Sequence, residues 1–239
     1  LNEWFVTEQG ARVEEAFLEE LTPLKNKLYG DILLQLGSCG DNAILRTLRY
    51  HHKCLITPYL NASTTLVSSL TELPIEKESV DCVIAPLTMN AFHYEKSPLD
   101  EIDRVLKPMG HVVFFGVNPI SLWGVWLRLA HSTCFGVEHG VLHSLFSMKR
   151  AMAHRGYVQC HLSGFYYIPP AKRPSVINKL EIFNVIGKMI SPMPSGFYCF
   201  VVQKLQVSGI PLTPVRIEDD YSISSLQAVG TGLQTRKYE

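Results

Sequence analysis

The sequence predicts an α/β fold, a mostly parallel sheet with helices on both faces. Apolar runs of strand length alternate with stretches of helical period along most of the chain. The joints between them carry Gly, Pro and helix-capping residues, and no internal repeat is visible. Strands separated by helices return in parallel, each helix covering one sheet face. The 239 residues suffice for one large core, and 46% apolar with 18% charged residues exclude a disordered or collagen-like chain.

Val13, Phe17, Leu18, Leu21, Leu24 and Leu28 recur at helical spacing opposite Glu14, Glu15, Glu19 and Glu20, which predicts a helix over 8–29 that restarts at Thr22-Pro23. Gly30 is read as its stop, with a buried strand at Ile32–Leu36. Gly37-Ser38-Cys39-Gly40 is a tight turn, followed by a helix over 41–51 and a short strand over 53–57. A polar link leads to Leu66-Val67-Ser68, and Val80–Ala85 is a clear strand. Ser97-Pro98-Leu99-Asp100 reads as a capping box with Pro at the first helical position. That helix stops before Pro108, and His111–Val117 is an apolar strand. A helix over 147–155, a strand over 158–165, a helix within 174–190 and a last strand over 197–203 complete the pattern. Residues 1–207 are therefore expected to form the domain. Residues 208–239, rich in Gly, Pro, Ser and Thr without periodicity, are expected to be a poorly ordered tail.

The balanced charge hides an asymmetry. Residues 1–103 hold 16 acids and 8 bases, residues 104–217 hold 2 acids and 12 bases, and the last 22 residues hold 4 acids and 2 bases. A basic second half attracts anions in general, but no docking motif accompanies it, so nucleic acid is not an expected partner. The first residues do not read as a secretory signal, and the run 112–130 is broken by Pro119 and Arg128, a poor membrane span. The six cysteines lie far apart with no CxxC pair, which suits free thiols in the cytoplasm.

In a parallel sheet of this kind the ligand lies beyond the carboxyl ends of the strands, and Gly37–Gly40 is the first such end. It is not GxGxxG, so no dinucleotide fingerprint is present, and no P-loop pattern occurs. By itself Gly37-x-x-Gly40 fits a plain strand-to-helix turn as well as a ligand loop.

Two further segments add context. Leu73-Pro74-Ile75 with Ser79-Val80-Asp81, and then Arg104-Val105-Leu106-Lys107-Pro108-Met109-Gly110, resemble the class I S-adenosylmethionine-dependent methyltransferases. The branch is the type 11 group that includes quinone-biosynthesis C-methylases. There the first segment reads Leu-Pro-Phe and Ser-Phe-Asp, and the second Arg-Val-Leu-Lys-Pro-Gly-Gly. His154-Arg155-Gly156-Tyr157 is similar to the family's Ala-Gly-Phe, so the resemblance spans about residues 25 to 205. It implies a Rossmann-like three-layer sandwich, with a seven-stranded sheet of order 3-2-1-4-5-7-6 whose last strand is antiparallel.

The resemblance also implies S-adenosyl-L-methionine as cofactor, held by Gln35, Gly37, Ser38, Cys39, Gly40, Thr57, Ser69, Leu70, Ala85 and Pro86. Several of these depart from the family pattern. Gln35 stands where the family has an acid, Cys39 and Asp41 where it has glycines, and Ser69 where an Asp holds the adenine. The second strand ends without a carboxylate, with Thr57 or Tyr59 as the nearest polar substitute. The missing ribose clamp is two charge-assisted hydrogen bonds of about 1.5–3 kcal/mol each.

His93 is the single catalytic candidate, set after the fourth strand where the family faces the methyl group. His139 and His143 are four apart but lack a third ligand, so no metal is expected. The segment 120–131 carries Trp123 and Trp126 among leucines. It could line an apolar pocket, touch a membrane surface or pack on the sheet. Two functions follow: a methyltransferase acting on a small or lipid-like acceptor, or a non-catalytic binding or regulatory module that keeps the fold.

Overall fold

The computed structural model describes residues 2–91, 97–129, 135, 144–171, 173–189 and 194–205. The chain opens with a short helix α1 (Asn2–Phe5) and the amphipathic α2 (Glu8–Leu21), capped by Thr7, whose hydroxyl accepts from Gly10 N. A 3-10 turn at Thr22–Leu24 ends it, and β1 runs Tyr29–Leu36. Then come α3 (Ala43–Thr47), β2 (Arg49–Thr57), β3 (Leu66–Val67), β4 (Val80–Pro86), α4 (Thr88–Ala91) and α5 (Pro98–Val105). The second half holds β5 (Leu106–Val117), α6 (Leu122–Leu129), α7 (Leu145–His154) and β6 (Tyr157–Phe165). It closes with α8 (Pro174–Leu180), α9 (Ile182–Met189) and β7 (Phe197–Lys204).

The seven strands form one sheet of order β3-β2-β1-β4-β5-β7-β6. β1, β2, β3, β4 and β5 pair in parallel, and β7 runs antiparallel to both β5 and β6. This is the order and direction the resemblance implied. Neighbouring residues face opposite ways along each strand, so Leu33 and Leu34 enter different cores. One core packs Val13, Phe17 and Leu21 of α2 against Ile84 and Phe115, with the Phe17 and Phe115 rings stacked at 4.2 Å. The other packs Ile102 of α5 and Met148 and Met152 of α7 against Val83, Phe114 and Phe200. Helices on both faces make the three-layer sandwich.

Several boundaries differ from the sequence reading. Gly30 does not stop a helix but lies inside β1, where a Cβ would come within 2.7 Å of Asp81 Cβ. The helix expected over 41–51 shrinks to five residues because β2 already begins at Arg49, paired with Tyr29. Ser97 caps α5 by accepting from Leu99 N, but Asp100 pairs with Arg155 rather than completing a capping box. The expected tail 208–239 lies outside the described residues.

Candidate functional site

The carboxyl ends of β1, β2 and β4 meet at the Gly37–Gly40 turn. Gly37 has φ +90° and donates its N–H to Ile56 O at 2.8 Å, which fixes the exit from β1 against β2. Thr88, just past β4, donates its hydroxyl to Leu36 O, and a Cβ on Gly37 would stand 3.0 Å from that hydroxyl. Glycine is thus required by backbone conformation and by close approach together.

The inside of the turn is filled by its own side chains. Gln35 is fully buried, and its amide nitrogen donates to Gly37 O at 2.9 Å and to Asn42 Oδ1 at 2.8 Å. Asn42 Oδ1 also accepts from Cys39 N, and Asn42 takes the left-handed conformation with φ 52°. Gln35 Oε1 is buried without a hydrogen-bond partner. The Cys39 thiol is buried, and burial pushes its pKa well above the ordinary thiol value, with Glu14 adding to the effect. It is no nucleophile.

Beside the turn lies a cavity of about 550 Å³ lined by Phe5, Glu14, Ser38, Gly40, Arg46 and Asn61, among others. Asn61 donates its amide to the Ser38 hydroxyl at 3.1 Å. Glu14, reaching over from α2, accepts from Asp41 N and Ala43 N, both at 3.4 Å. A Cβ on Gly40 would fall 1.8 Å from Glu14 Oε2 and push the carboxylate aside, and the φ of +51° itself favours glycine there. Half-burial raises the Glu14 pKa. The Ala43 and Asp41 amides oppose that rise, as does Arg46, while the Asp41 charge adds to it.

The other expected cofactor residues divide into two groups. Thr57 is buried at the end of β2, but its hydroxyl donates to Tyr59 O and lies 3.1 Å from the Thr64 hydroxyl. Ser69 is exposed and bonds locally to Thr71, while Leu70 is buried in the core against α5 and α7. Ala85 and Pro86 are buried at the end of β4 beside Thr88. Of the ten expected cofactor residues, only Ser38 and Gly40 line this cavity. Glu14, Asn42 and Asn61 escaped the sequence reading. Glu14 looked like one more acid on the polar side of a helix, Asn42 fell inside the helix expected over 41–51, and Asn61 lies in a polar link without periodicity.

His93, His139, His143 and most of the segment beyond α6 lie outside the described residues. Among the described residues no cluster of His, Cys, Asp or Glu could hold a metal. Within the segment 120–131, Leu122–Leu129 form α6, whose Trp123 and Leu127 are buried on the sheet while Leu122, Val125 and Leu129 are exposed. No helix among the described residues is long and apolar enough to cross a membrane.

The residues that carried the family resemblance sit elsewhere in the molecule. Arg104 donates to Ile75 O and Leu73 O and pairs with Glu101, which accepts from Leu73 N. Asp81 accepts from Asp31 N and Ile32 N and pairs with Lys107 at 2.8 Å. Burial alone would raise the Asp81 pKa, but Lys107 and the two amides outweigh it and hold the carboxyl below its ordinary value. These contacts staple β1, β4 and β5 at their amino ends, opposite the glycine turn. Met109 keeps a positive φ of 65° where the family motif has glycine.

The strand order and directions are those of the class I methyltransferase fold. The type 11 methyltransferase domain family matches residues 42–114, which span α3 to the middle of β5. An S-adenosylmethionine-dependent methyltransferase from Thermotoga maritima is 16% identical, with 85% of this chain and 100% of that chain covered and a TM-score of 0.57. Another from Archaeoglobus fulgidus is 14% identical, with 80% and 94% covered and a TM-score of 0.56. The geranyl diphosphate C-methyltransferase of Streptomyces coelicolor, seen with Mg2+, geranyl diphosphate and S-adenosyl-L-homocysteine, is 17% identical, with 82% of each chain covered and a TM-score of 0.55. No curated protein sequence matches significantly. The chain has the fold of the class I S-adenosylmethionine-dependent methyltransferases and matches the type 11 domain over β2 to β5.

Proposed function

We propose that the protein binds S-adenosyl-L-methionine at the Gly37–Gly40 turn and transfers its methyl group to a small or lipid-like acceptor. The observation that carries this reading is the turn itself: φ +90° at Gly37, at the meeting of the β1, β2 and β4 ends, opening beside a cavity of about 550 Å³. The residues present fit the cofactor. Ser38 and Asn61 offer a hydroxyl and an amide to the cavity, and Glu14 supplies a carboxylate that β2 does not, while the unpartnered Gln35 Oε1 is buried in the turn and does not line it. When bound, the cofactor supplies a methyl group made electrophilic by its sulfonium.

The chain's own part is to bind, orient and exclude water. Glycine at 37 lets backbone approach the methionine and ribose portions, and Thr88 holds the β1 and β4 ends together. Phe5 supplies an apolar wall on the α1 side. The exposed apolar side chains Ile120, Leu122 and Leu129 at α6 support an acceptor with hydrocarbon character, or contact with a lipid surface. Calorimetric titration with S-adenosylmethionine and S-adenosylhomocysteine tests the reading.

A second reading has its own support. The Thr57 hydroxyl is committed to Tyr59 O and Thr64, so the end of β2 offers no free ribose ligand from that side chain. A non-catalytic binding or regulatory module on the same fold follows from that loss. Thermal denaturation separates the two, because a ligand that binds only the native state raises the melting point.

A further inference from the structure

The chain has three tryptophans, and all three line one cavity. Trp4 of α1 and Trp126 of α6 both meet Trp123 edge to face, at ring-centre distances of 5.8 Å and 6.2 Å with interplanar angles of 90° and 77°. Trp123 is buried and donates its indole N–H to Ile168 O at 2.8 Å, so the central ring is fixed. Trp4 is held by Thr7, whose hydroxyl donates to Trp4 O, and by Gly10, where a Cβ would fall 2.1 Å from that same oxygen. Phe135 backs both Trp4 and Trp123. The cavity measures about 440 Å³, within the usual range for small-molecule sites.

Glu8 is the only charged side chain among the described lining residues; Thr7, Gln9, Pro170 and Ala171 complete them. Gln9 is already satisfied, donating to Pro169 O and accepting from Ala171 N. Indole faces are the negative part of an aromatic quadrupole and prefer a cation, above all a weakly hydrated one. A carboxylate at the same wall adds attraction of the same sign. Its partner Arg12 does not line the cavity and is also held by Glu181 and Asn178.

We infer that this indole-walled cavity is a binding site for a small organic cation of the alkylammonium class, with the cation against the rings and Glu8. The site is distinct from the glycine turn, and the inference goes beyond methyl transfer, since it needs neither cofactor nor turnover. α1 nevertheless borders both cavities, with Trp4 lining this one and Asn2 and Phe5 lining the other.

Because every tryptophan of the chain lines the cavity, fluorescence excited selectively at tryptophan over the ten tyrosines reports its occupancy. The experiment titrates the whole protein with choline and, in parallel, with its uncharged carbon isostere, in which a tert-butyl group replaces trimethylammonium. A saturable change with choline, weakened several-fold or more for the isostere, is expected. Trp126→Ala, at a ring that is 39% exposed and so tolerant of removal, should weaken choline binding about three- to thirty-fold. Glu8→Gln should weaken choline while leaving the isostere unchanged, a separation that loss of folding would not produce. No saturable change with choline, or equal affinity for choline and the isostere, overturns the inference. A failed titration with S-adenosylmethionine alongside successful choline binding would overturn the proposed function alone.

Discussion

The side-chain nitrogen of Gln35 lies 2.8 Å from Asn42 Oδ1, and this one bond ties the end of β1 to the residue that opens α3. The same nitrogen donates to Gly37 O, so both its hydrogens are spent inside the turn. An ionised carboxylate at position 35 can make neither bond. Gln35→Glu would bury a carboxylate against two oxygens, and we expect it to cost roughly 3–5 kcal/mol of stability. Urea denaturation of the variant measures this. A midpoint equal to that of the parent would mean that the amide does not organise the turn.

Gly37 makes a different demand. At φ +90° any side chain is strained, and the nearest atom to a new Cβ is the Thr88 hydroxyl at 3.0 Å. Gly37→Ala is expected to lose about 1–3 kcal/mol through backbone strain before any ligand is considered. Denaturation without cofactor reads that loss, and titration at a temperature where the variant remains folded reads the separate effect on binding. An unchanged stability would contradict the positive φ.

Asp81 links stability to pH. Its folded-state pKa is held below the ordinary value of 3.8, so its contribution is present above that value and is lost as pH falls through the depressed pKa. Asp81→Asn removes the pairing with Lys107 but can still accept from the amides of Asp31 and Ile32. We expect a loss of about 1–2 kcal/mol at neutral pH that shrinks toward zero in acid. Thermal melting of both proteins across the acid range checks it, and a difference independent of pH would contradict the ion pair's role.

The fold was readable because its signals are local and repeated. Residues 82–86 and 112–117 are continuous apolar runs, as strands buried on both faces should be. β2 was half missed because its first residues, Arg49, His51 and His52, are polar and largely exposed, so no apolar period marks them. Gly30 read as a helix stop because sequence does not show that Asp81 packs against it. At the site, Gly37 and Ser38 were legible from the turn. Glu14 and Asn61 were not, since a glutamate on a polar helix stripe and an asparagine in a loop acquire meaning only from what they approach. The segments that identified the family, around Asp81 and Arg104, serve the amino edge of the sheet rather than the ligand edge.

Titration calorimetry of the full chain with S-adenosyl-L-methionine is the most direct measurement of what the Gly37–Gly40 turn does. The turn and the cavity beside Ser38 predict saturable binding with a submillimolar dissociation constant. S-adenosylhomocysteine is expected to compete for the same site. No heat with either ligand at millimolar concentration would contradict cofactor binding at this turn.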